Sequence, residues 1–387
     1  MADSNSHSNS LSNSLSNSLS NSLSNSLSNS LSNSLSNPLN APDTHKLIQR
    51  FEWNARHVIE DPTALYFRLS RELIGDGKLL VLASNVPPHQ PAPNLFFSAV
   101  HYLLMREDRN KPSPLRDFFP DLTTLPDTYS DPYPAFREFC LTHASDIRKL
   151  LETRRVQVNE IGRCAYFLPA FQYVAQRVSG EPFALIEVGS SAGLNLFWDE
   201  YAYDYGEEMM YGARDADIKL HCRLRGEKRP RLYAEFPEVT VRFGIDLHPN
   251  DVLDEDAMLW LRALVWPEQL ERAKRLEKAI ALARTHPPLL IQGDALDVVP
   301  RAVDAIARET PIVLFHSFVL NQFSNQARER YAALLAEHSA GRLVYDLSLE
   351  PKEWPAPLVL TTYKDGKVSD KQLAVCDHLG RWMEWEG

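Results

Sequence analysis

The part of the chain after Gly180 consists of short apolar runs that alternate with segments of helical periodicity. Apolar runs of this length are typical of buried strands, and their alternation with helices is typical of a mostly parallel sheet with helices on both faces. The sequence therefore predicts an α/β fold, and its candidate strands are FALIEV, VTVRFGID, PLLIQGD, PIVLFHS, RLVYDLS and PLVLTTY.

Two further regions precede this part. Residues 1–42 hold an SNSL repeat, with leucine at every fourth position from Leu11 to Leu39. Serine and asparagine are poor helix formers, and a four-residue spacing builds no stripe on a helix of 3.6 residues per turn, so we expect a disordered tail. The alternative is a β-prone association segment, because side chains alternate along a strand and all the leucines would then lie on one face. Residues 43–179 show helical periodicity interrupted by proline-rich connections, which predicts a mostly helical N-terminal region before a domain at 180–387.

The composition argues against several classes of function. The formal net charge of -10 gives no electrostatic basis for binding nucleic acid or an anionic membrane. The 4 cysteines form no C-x-x-C pair, which indicates neither a zinc site nor a disulfide framework. No apolar run approaches the roughly 20 residues that span a bilayer, and the N-terminus lacks the features of a signal peptide. We therefore expect a cytoplasmic protein without a bound metal.

The most informative segment is FALIEVGSSAGLNLFWDE, because it fits two incompatible motifs. Residues Gly189 to Gly193 spell G-x-S-x-G, the nucleophile elbow of serine hydrolases, with Ser191 as the nucleophile. Together with Glu187 they spell E-x-G-x-x-x-G, which is typical of the turn between the first strand and first helix of a Rossmann-like cofactor-binding sheet. Both interpretations require a strand, a sharp turn and a helix.

A serine hydrolase would use Ser191, Asp346 and His378, in that order along the chain. This match carries little weight, since 51 acidic residues and 12 histidines offer many ordered triples. The hydrolase fold also places several strands and a glycine-rich oxyanion loop before the elbow, whereas the region before Ser191 has helical periodicity. The hydrolase is therefore the less favoured alternative.

The cofactor interpretation makes demands on the later strands, and the sequence meets them. Asp246 ends VTVRFGID and suits two ribose hydroxyls, and Asp294 ends PLLIQGD and suits the exocyclic amino group of adenine. The spacing favours adenosylmethionine over a dinucleotide, because Ser191 replaces the middle glycine of G-x-G-x-x-G and Asp246 lies far downstream. Residues 201–238 are then an insertion, and Asp204 competes for the ribose role if YAYDY forms the second strand.

Resemblance to a known family extends from about Lys46 to the C-terminus. Its segments are VQVNEIGRCAYFLPAF, EVGSSAGLNLFWDEYAYDYG, GIDLHPND, VWPEQLERAKRLEKA, QGDA and FHSFVLNQF, which resemble the bacterial family called domain of unknown function 2332. The C-terminal half is similar to class I adenosylmethionine-dependent methyltransferases, from which it departs by the long insertion. This resemblance implies S-adenosylmethionine as the cofactor, bound at the first motif (Glu187, Gly189, Gly193), the ribose acid Asp246 and the adenine contact Asp294. Ser191, within the same turn, is also a candidate cofactor-binding residue.

Candidate catalytic residues follow the fourth predicted strand, in PIVLFHSFVLNQF. Methyl transfer needs alignment of the acceptor and, for some acceptors, removal of a proton. His316 is the candidate general base, and Ser317 and Asn321 are candidates for positioning the acceptor. The alternative for His316 is a buried, hydrogen-bonded histidine. The chain lacks the Asp/Asn-Pro-Pro-Tyr/Phe motif of amide or base-nitrogen acceptors, which favours a small molecule with an oxygen or carbon acceptor.

The sequence thus predicts an S-adenosylmethionine-dependent methyltransferase that acts on a small molecule. Since no acceptor motif is present, a non-catalytic, methyltransferase-like binding or scaffold protein stays open. The polar residues Asn159, Glu160 and Arg163 fall near one face of a predicted helix. They form either a lid over the cofactor or a buried polar network.

Overall fold

The computed structural model describes residues 42–57, 61, 64–108, 110–206, 209–213, 215–351 and 354–387. The prediction of a disordered tail falls almost wholly on residues outside these ranges. The chain divides into two compact units, Met1–Val156 and Gln157–Gly387. Within the described ranges, no helix is long and apolar enough to cross a membrane.

The first unit is helical, as its periodicity predicts. Aromatic side chains form its core: the rings of Tyr66 and Phe97 stack with their centroids 4.5 Å apart, and Phe51 packs edge-on against Phe97. None of the predicted site residues belongs to this unit. Its described helices are α1 (Pro42–His57), α2 (Leu65–Leu73), α3 (Gly77–Ala83), α4 (Ala92–Arg106), α5 (Tyr133–Thr142) and α6 (Ala144–Thr153).

The second unit combines helices with strands. Its described helices are α7 (Cys164–Arg177), α8 (Glu255–Ala263), α9 (Leu270–Thr285), α10 (Ala295–Ala305) and α11 (Asn325–His338). Its described strands are β1 (Phe183–Val188), β2 (Ala202–Asp204), β3 (Met210–Tyr211), β4 (Lys219–His221), β5 (Arg223–Arg225), β6 (Val239–Asp246), β7 (Leu290–Gln292), β8 (Ile312–Ser317), β9 (Leu343–Leu349), β10 (Ala356–Lys364), β11 (Lys367–Cys376) and β12 (Trp382–Trp385). The predicted strands correspond to β1, β6, β7, β8, β9 and β10.

A nine-stranded sheet organises this unit, with the order β5-β12-β11-β10-β9-β8-β1-β6-β7. The strands from β9 to β7 are parallel, and β10 and β11 extend the sheet with antiparallel pairing. Apolar side chains of α10 and α11 pack on one face of β1 and β8. On the other face, Phe167 of α7 packs against Phe315 of β8, with ring centroids 5.0 Å apart. The prediction of a mostly parallel sheet with helices on both faces is confirmed.

The second unit begins at Gln157, earlier than the boundary that the sequence suggested at Gly180. The helix α7 therefore belongs to the α/β unit rather than to the helical N-terminal region. That boundary was inferred from the point at which strands begin to alternate with helices. A helix that covers a sheet has the same apolar periodicity as a helix in a bundle, so its own sequence does not reveal its partner.

The insertion at residues 201–238 contributes to two sheets. Strands β3, β2 and β4 form a separate three-stranded sheet in that order, and β5 pairs in parallel with β12 at the edge of the large sheet. The strand that lies next to β1 is β6. The predicted strand YAYDY is therefore β2 of the small sheet and not the neighbour of β1.

The helix expected after β1 is a 3₁₀ helix, Leu194–Glu200, which is interrupted at Phe197. Two buried tyrosines bind this segment. The Tyr201 hydroxyl donates to the Leu194 carbonyl, and the Tyr203 hydroxyl donates to a carbonyl further along the segment. These hydrogen bonds tie the 3₁₀ segment to the strand that follows it.

Candidate active site at the carboxyl edge of the sheet

The carboxyl ends of β6, β1 and β8 meet at one edge of the sheet, because the three strands are parallel neighbours. The chain order reverses between β1 and β8: β6 and β7 lie on one side of β1, and β8 and β9 lie on the other. Open α/β sheets bind ligands outside the carboxyl ends of their strands at such a reversal. This edge therefore defines the candidate site.

Residues Gly189 to Gly193 form a tight turn directly after β1. The backbone N–H of Gly189 donates to the Ile245 carbonyl at 2.7 Å and ties the turn to β6. Gly189 and Gly193 have φ values of 73° and 69°, which glycine adopts without strain. A Cβ at Gly189 would collide with the side chain of Val319. Glycine is thus required at 189 by packing as well as by the turn.

Ser191 lies in the middle of this turn with a φ of 53°, which is uncommon for a residue with a side chain. Its backbone N–H donates to Oδ2 of Asp246 at 2.8 Å. Its Oγ donates to the Gln157 carbonyl and accepts from Nδ2 of Asn250, both at 3.1 Å. The hydroxyl therefore links the turn to two other segments of the same edge.

Asp246 is buried at the end of β6. Besides the Ser191 contact, its Oδ1 accepts from the backbone N–H of His248 at 2.8 Å and from Nε2 of Gln157 at 3.0 Å. An ionised carboxylate offers about four lone-pair positions, so these donors fill most of them. Asp204 lies in β2 of the small sheet, so Asp246 is the acid that lies beside the turn.

Glu187 is buried within β1. Its Oε1 accepts from Nδ2 of Asn195 at 2.8 Å, whereas its Oε2 has no hydrogen-bond partner among the described residues. Burial raises the pKa of this carboxyl to about 8, and the charge of Asp246 contributes to the rise. Buried polar atoms are nearly always hydrogen-bonded, so this oxygen is a candidate contact for a donor group of a ligand.

Asp294 follows β7, an edge strand of the large sheet, and its side chain is exposed. Its Oδ1 accepts from the backbone N–H of Leu296 at 2.9 Å and caps α10. An aspartate at this position stabilises a helix without any ligand. The adenine contact stays a prediction.

His316 is fully buried in β8 between two carboxylates. Its Nδ1 lies 2.8 Å from Oε1 of Glu350, and its Nε2 lies 3.5 Å from Oδ1 of Asp346. Burial lowers the pKa of His316, but the two carboxylates outweigh it and raise the pKa to about 10. The ring is therefore a cation at neutral pH and has no lone pair with which to remove a proton. This geometry fits the buried, hydrogen-bonded alternative, and the general-base role stays a prediction.

Glu350 fixes the loop after β8, and the sequence analysis missed it. Its Oε1 accepts from the backbone N–H groups of Val319 and Leu320 at 2.9 and 3.1 Å, and its Oε2 accepts from that of Asn321 at 3.1 Å. These N–H groups lie at the start of the short 3₁₀ helix Leu320–Gln322, where helical partners are lacking. The available signal was weak: an acid just past the predicted strand RLVYDLS.

Ser317 and Asn321 flank this loop. The Oγ of half-buried Ser317 accepts from Nη1 of Arg163 at 3.1 Å. Asn321 is exposed, and the contact described for it is the backbone bond to Glu350. Ser317 is the last residue of β8 and Asn321 follows the strand, so both lie at the same edge as the turn after β1. Their role in positioning an acceptor stays a prediction.

No hydrogen bond among the described residues joins the three members of the hydrolase triad. Ser191 has the partners given above. Asp346 accepts from the Tyr331 hydroxyl at 3.2 Å and lies beside His316. The ring of His378 packs against Trp354, with centroids 5.1 Å apart.

The segment before α7 forms a buried polar network. The Oδ1 of Asn159 accepts from the backbone N–H of Leu194 at 3.0 Å, and the carboxylate of Glu160 binds Arg272. Arg163, also buried, donates to Ser317 at the end of β8 and to the His378 carbonyl after β11. Of the two interpretations of this segment, the buried network fits the contacts.

Comparison with known proteins identifies the family of this α/β protein. The family model described as "Uncharacterized protein conserved in bacteria (DUF2332)" matches residues 48–385. The chain therefore belongs to this family, which confirms the resemblance to domain of unknown function 2332, whereas the similarity of its C-terminal half to methyltransferases stays a prediction. Searches of curated proteins and of solved structures gave no match.

Proposed function

We propose that the protein is an S-adenosylmethionine-dependent methyltransferase that acts on a small molecule. One observation carries the proposal: two buried acids, Glu187 and Asp246, lie on adjacent parallel strands beside a left-handed turn, and Oε2 of Glu187 lacks a partner among the described residues. The order β7-β6-β1-β8-β9 supports it, since doubly wound sheets of order 3-2-1-4-5 bind nucleotides at the reversal.

The residues at this edge fit the functional groups of the cofactor. Oε2 of Glu187 can accept a hydrogen bond from the ammonium group of the cofactor. Asp246 can accept from the ribose hydroxyls when Nε2 of Gln157 no longer donates to its Oδ1. Asp294 caps α10 through Oδ1 alone among the described contacts, so its Oδ2 suits the adenine amino group. When bound, the cofactor supplies a methyl group that an acceptor with an available electron pair can take.

In this proposal, His316 in β8 and Glu350 after β9 hold the loop after β8 in place. His316 holds Glu350 as an ion pair, and Glu350 holds the backbone of the loop that begins at Val319. Because His316 is a cation at neutral pH, the acceptors that suit the site are those already ionised or in no need of a base.

A non-catalytic binding protein with this fold is the second candidate. It is favoured by the engagement of His316, the predicted base, with Asp346 and Glu350. The two candidates differ in one outcome, because a binding protein retains cofactor affinity but transfers no methyl group to any acceptor.

Calorimetric titration of the full chain with adenosylmethionine and adenosylhomocysteine tests the proposal. We expect micromolar dissociation constants. The Asp246→Asn variant should bind about tenfold or more weakly, because a hydrogen bond to a charged group contributes about 1.5–3 kcal/mol. Asp204→Asn is the matched control, since this acid lies in the small sheet and should not affect affinity.

Glu187 gives the titration a second readout. Since its pKa is about 8, binding of an ammonium group to the ionised carboxyl at pH 7 releases a proton. The measured enthalpy should then vary with the ionisation enthalpy of the buffer, and Glu187→Gln should remove that variation. The proposal fails if the unmodified protein binds neither ligand, or if Asp204→Asn weakens binding as much as Asp246→Asn.

A further inference from the structure

Three connections at the carboxyl edge bring together Phe318, Trp354 and His378, and with Arg163 these form what we call the Arg163 cluster. Phe318 follows β8, Trp354 lies between β9 and β10, and His378 follows β11. Because β9 is parallel to β8 and the pairs β9–β10 and β10–β11 are antiparallel, all three connections lie at the same edge. None of the four residues belongs to the proposed cofactor site.

The four members of the Arg163 cluster contact one another in a closed series. The guanidinium carbon of Arg163 lies 4.1 Å from the centroid of the Phe318 ring. The ring of Trp354 lies 5.8 Å from that of Phe318 and 5.1 Å from that of His378. The Nε of Arg163 donates to the His378 carbonyl at 3.0 Å and closes the series. The cluster therefore combines a cation with three ring systems.

The cation of this cluster is buried, and its described hydrogen bonds go only to neutral groups. Arg163 is 8% exposed, and its hydrogen bonds go to the Ser317 side chain and carbonyl and to the His378 carbonyl. Among the described residues, no carboxylate pairs with it. Burial lowers the pKa of Arg163 to about 10, so the guanidinium is charged at neutral pH. Buried charges are normally paired, because desolvation of an unpaired charge costs several kcal/mol.

Among the described residues, no carboxylate hydrogen-bonds to Arg163, although the charges of Glu160 and Glu350 attract its guanidinium. Three described carboxylates of the adjoining segments already bind other cations, and transfer of any of them to Arg163 would leave its present partner unpaired. These pairs are Glu160 with Arg272, Glu350 with His316, and Asp377 with Arg381. An external anion would therefore complete the cluster at the lowest cost.

The aromatic members of the cluster offer a surface for a flat molecule. The Trp354 side chain is 55% exposed, which is high for an indole. Phe318 has a φ of 61°, a left-handed value that is rare for an aromatic residue, and its backbone N–H is held by the Leu349 carbonyl at 3.0 Å. Such strain is kept where the surroundings impose it, often at ligand sites. Aromatic faces bind planar groups by offset stacking or edge contacts.

We propose that the Arg163 cluster binds a small planar carboxylate, with its ring against Trp354 and its carboxylate paired with Arg163. Burial lowers the pKa of His378, so its ring is neutral at neutral pH and Arg163 is the cation that the carboxylate would pair with. Binding here requires no adenosylmethionine, and the inference goes beyond the proposed function without depending on it.

The test is a titration of the full chain with benzoate and with its neutral analogue benzamide, in the absence of cofactor, followed by ligand-observed NMR. We expect benzoate to bind at least about tenfold more tightly than benzamide, since an ion pair to a desolvated guanidinium contributes more than about 1.4 kcal/mol. Trp354→Ala should weaken benzoate binding about tenfold. Trp53→Ala is the matched control, because that indole is 54% exposed but lies in the first unit.

A second variant, Arg163→Gln, should abolish the preference for benzoate over benzamide. If this variant does not fold, the Trp354→Ala variant and the comparison of benzoate with benzamide still test the proposal. Equal affinity for the two compounds overturns the proposal, and so does benzoate binding that Trp354→Ala leaves unchanged or that is absent from the unmodified protein. Failure to bind adenosylmethionine overturns only the proposed function, so the two failures are distinguishable.

Discussion

The turn after β1 and the loop after β8 lie on either side of the reversal in chain order, and a carboxylate from a neighbouring strand end holds each of them. Asp246, at the end of β6, accepts from the backbone N–H of Ser191 in the turn. Glu350, just after β9, accepts from N–H groups in the loop, beginning with that of Val319. In both places a side chain from a parallel neighbour replaces the hydrogen bonds that the sheet no longer supplies.

The two regions differ in how their charges are balanced. Glu350 is paired with the cation His316, so the charge of the loop is compensated within the protein. Asp246 has only neutral donors among its described hydrogen bonds, and Oε2 of nearby Glu187 has none. Neutral donors can be exchanged for ligand groups at small cost, whereas removal of one member of a buried ion pair leaves an unpaired charge. We infer that the backbone from Val319 to Asn321, held by Glu350, is a support and that the turn after β1 is the region adapted to the cofactor.

Substitution of Glu350 should have the largest effect on stability. Glu350→Gln leaves the buried His316 without one of its two carboxylates and weakens the bonds to the loop N–H groups. We expect the free energy of unfolding to fall by about 3–5 kcal/mol, as for other buried pairs that lose one partner. Urea unfolding followed by circular dichroism measures this.

An exposed pair provides the control for that substitution. His338 lies 2.9 Å from Asp304, whose side chain is 65% exposed. Asp304→Asn should cost less than about 1 kcal/mol, because water screens such pairs. If both variants lose the same small amount, Glu350 does not support the loop and the contrast between the two regions disappears.

Glu187 should give a smaller effect that depends on pH. Its pKa is raised in the folded protein to about 8, from an ordinary value of about 4.5, so the folded state binds this proton more tightly than the unfolded chain does. Stability from this group is therefore lost as the pH rises from about 4.5 to about 8. Between pH 6 and pH 8 the loss should be about 2 kcal/mol.

Glu187→Gln should remove this part of the pH dependence, because glutamine does not titrate. Urea unfolding at a series of pH values measures it, with Glu329→Gln, at an exposed position on α11, as the control. A Glu187→Gln profile parallel to that of the unmodified protein would show that the buried carboxyl has an ordinary pKa, and the difference between the two regions would then be smaller than we infer.

The sequence predicted six adjacent strands of the large sheet but not the three strands at its other edge. Strands such as FALIEV and PIVLFHS are apolar because both of their faces are buried, and this property is local and visible in the sequence. Strand β11 was missed, since most of its residues are exposed and its sequence KVSDKQLAVC lacks a long apolar run. The 3₁₀ form of the helix after β1, with its interruption at Phe197, was also not predicted.

The candidate site could be predicted only in part, because some of its contacts join segments that are distant in the sequence. Glu187 and Asp246 were identified because each lies near the carboxyl end of an apolar strand, and the parallel pairing of β1 and β6 follows from the α/β pattern. Glu350 and Arg163 were not assigned their roles, because their partners lie after other strands. Which side chain receives a proton or holds a loop depends on contacts between distant segments, and these follow from the fold rather than from local pattern.

Ser191 should give the smallest effect, and it decides between the two motifs that overlap in the turn. Ser191→Gly relieves a left-handed conformation, worth about 1 kcal/mol, and loses two neutral hydrogen bonds of about 1 kcal/mol each. We therefore expect stability to change by no more than about 1 kcal/mol and affinity for adenosylhomocysteine to be nearly unchanged. The matching experiment is labelling with a fluorophosphonate probe, for which we expect no reaction in either protein. Labelling of the unmodified protein that vanishes in Ser191→Gly would instead make the turn a nucleophile elbow, and its tie to Asp246 would then orient a catalytic serine.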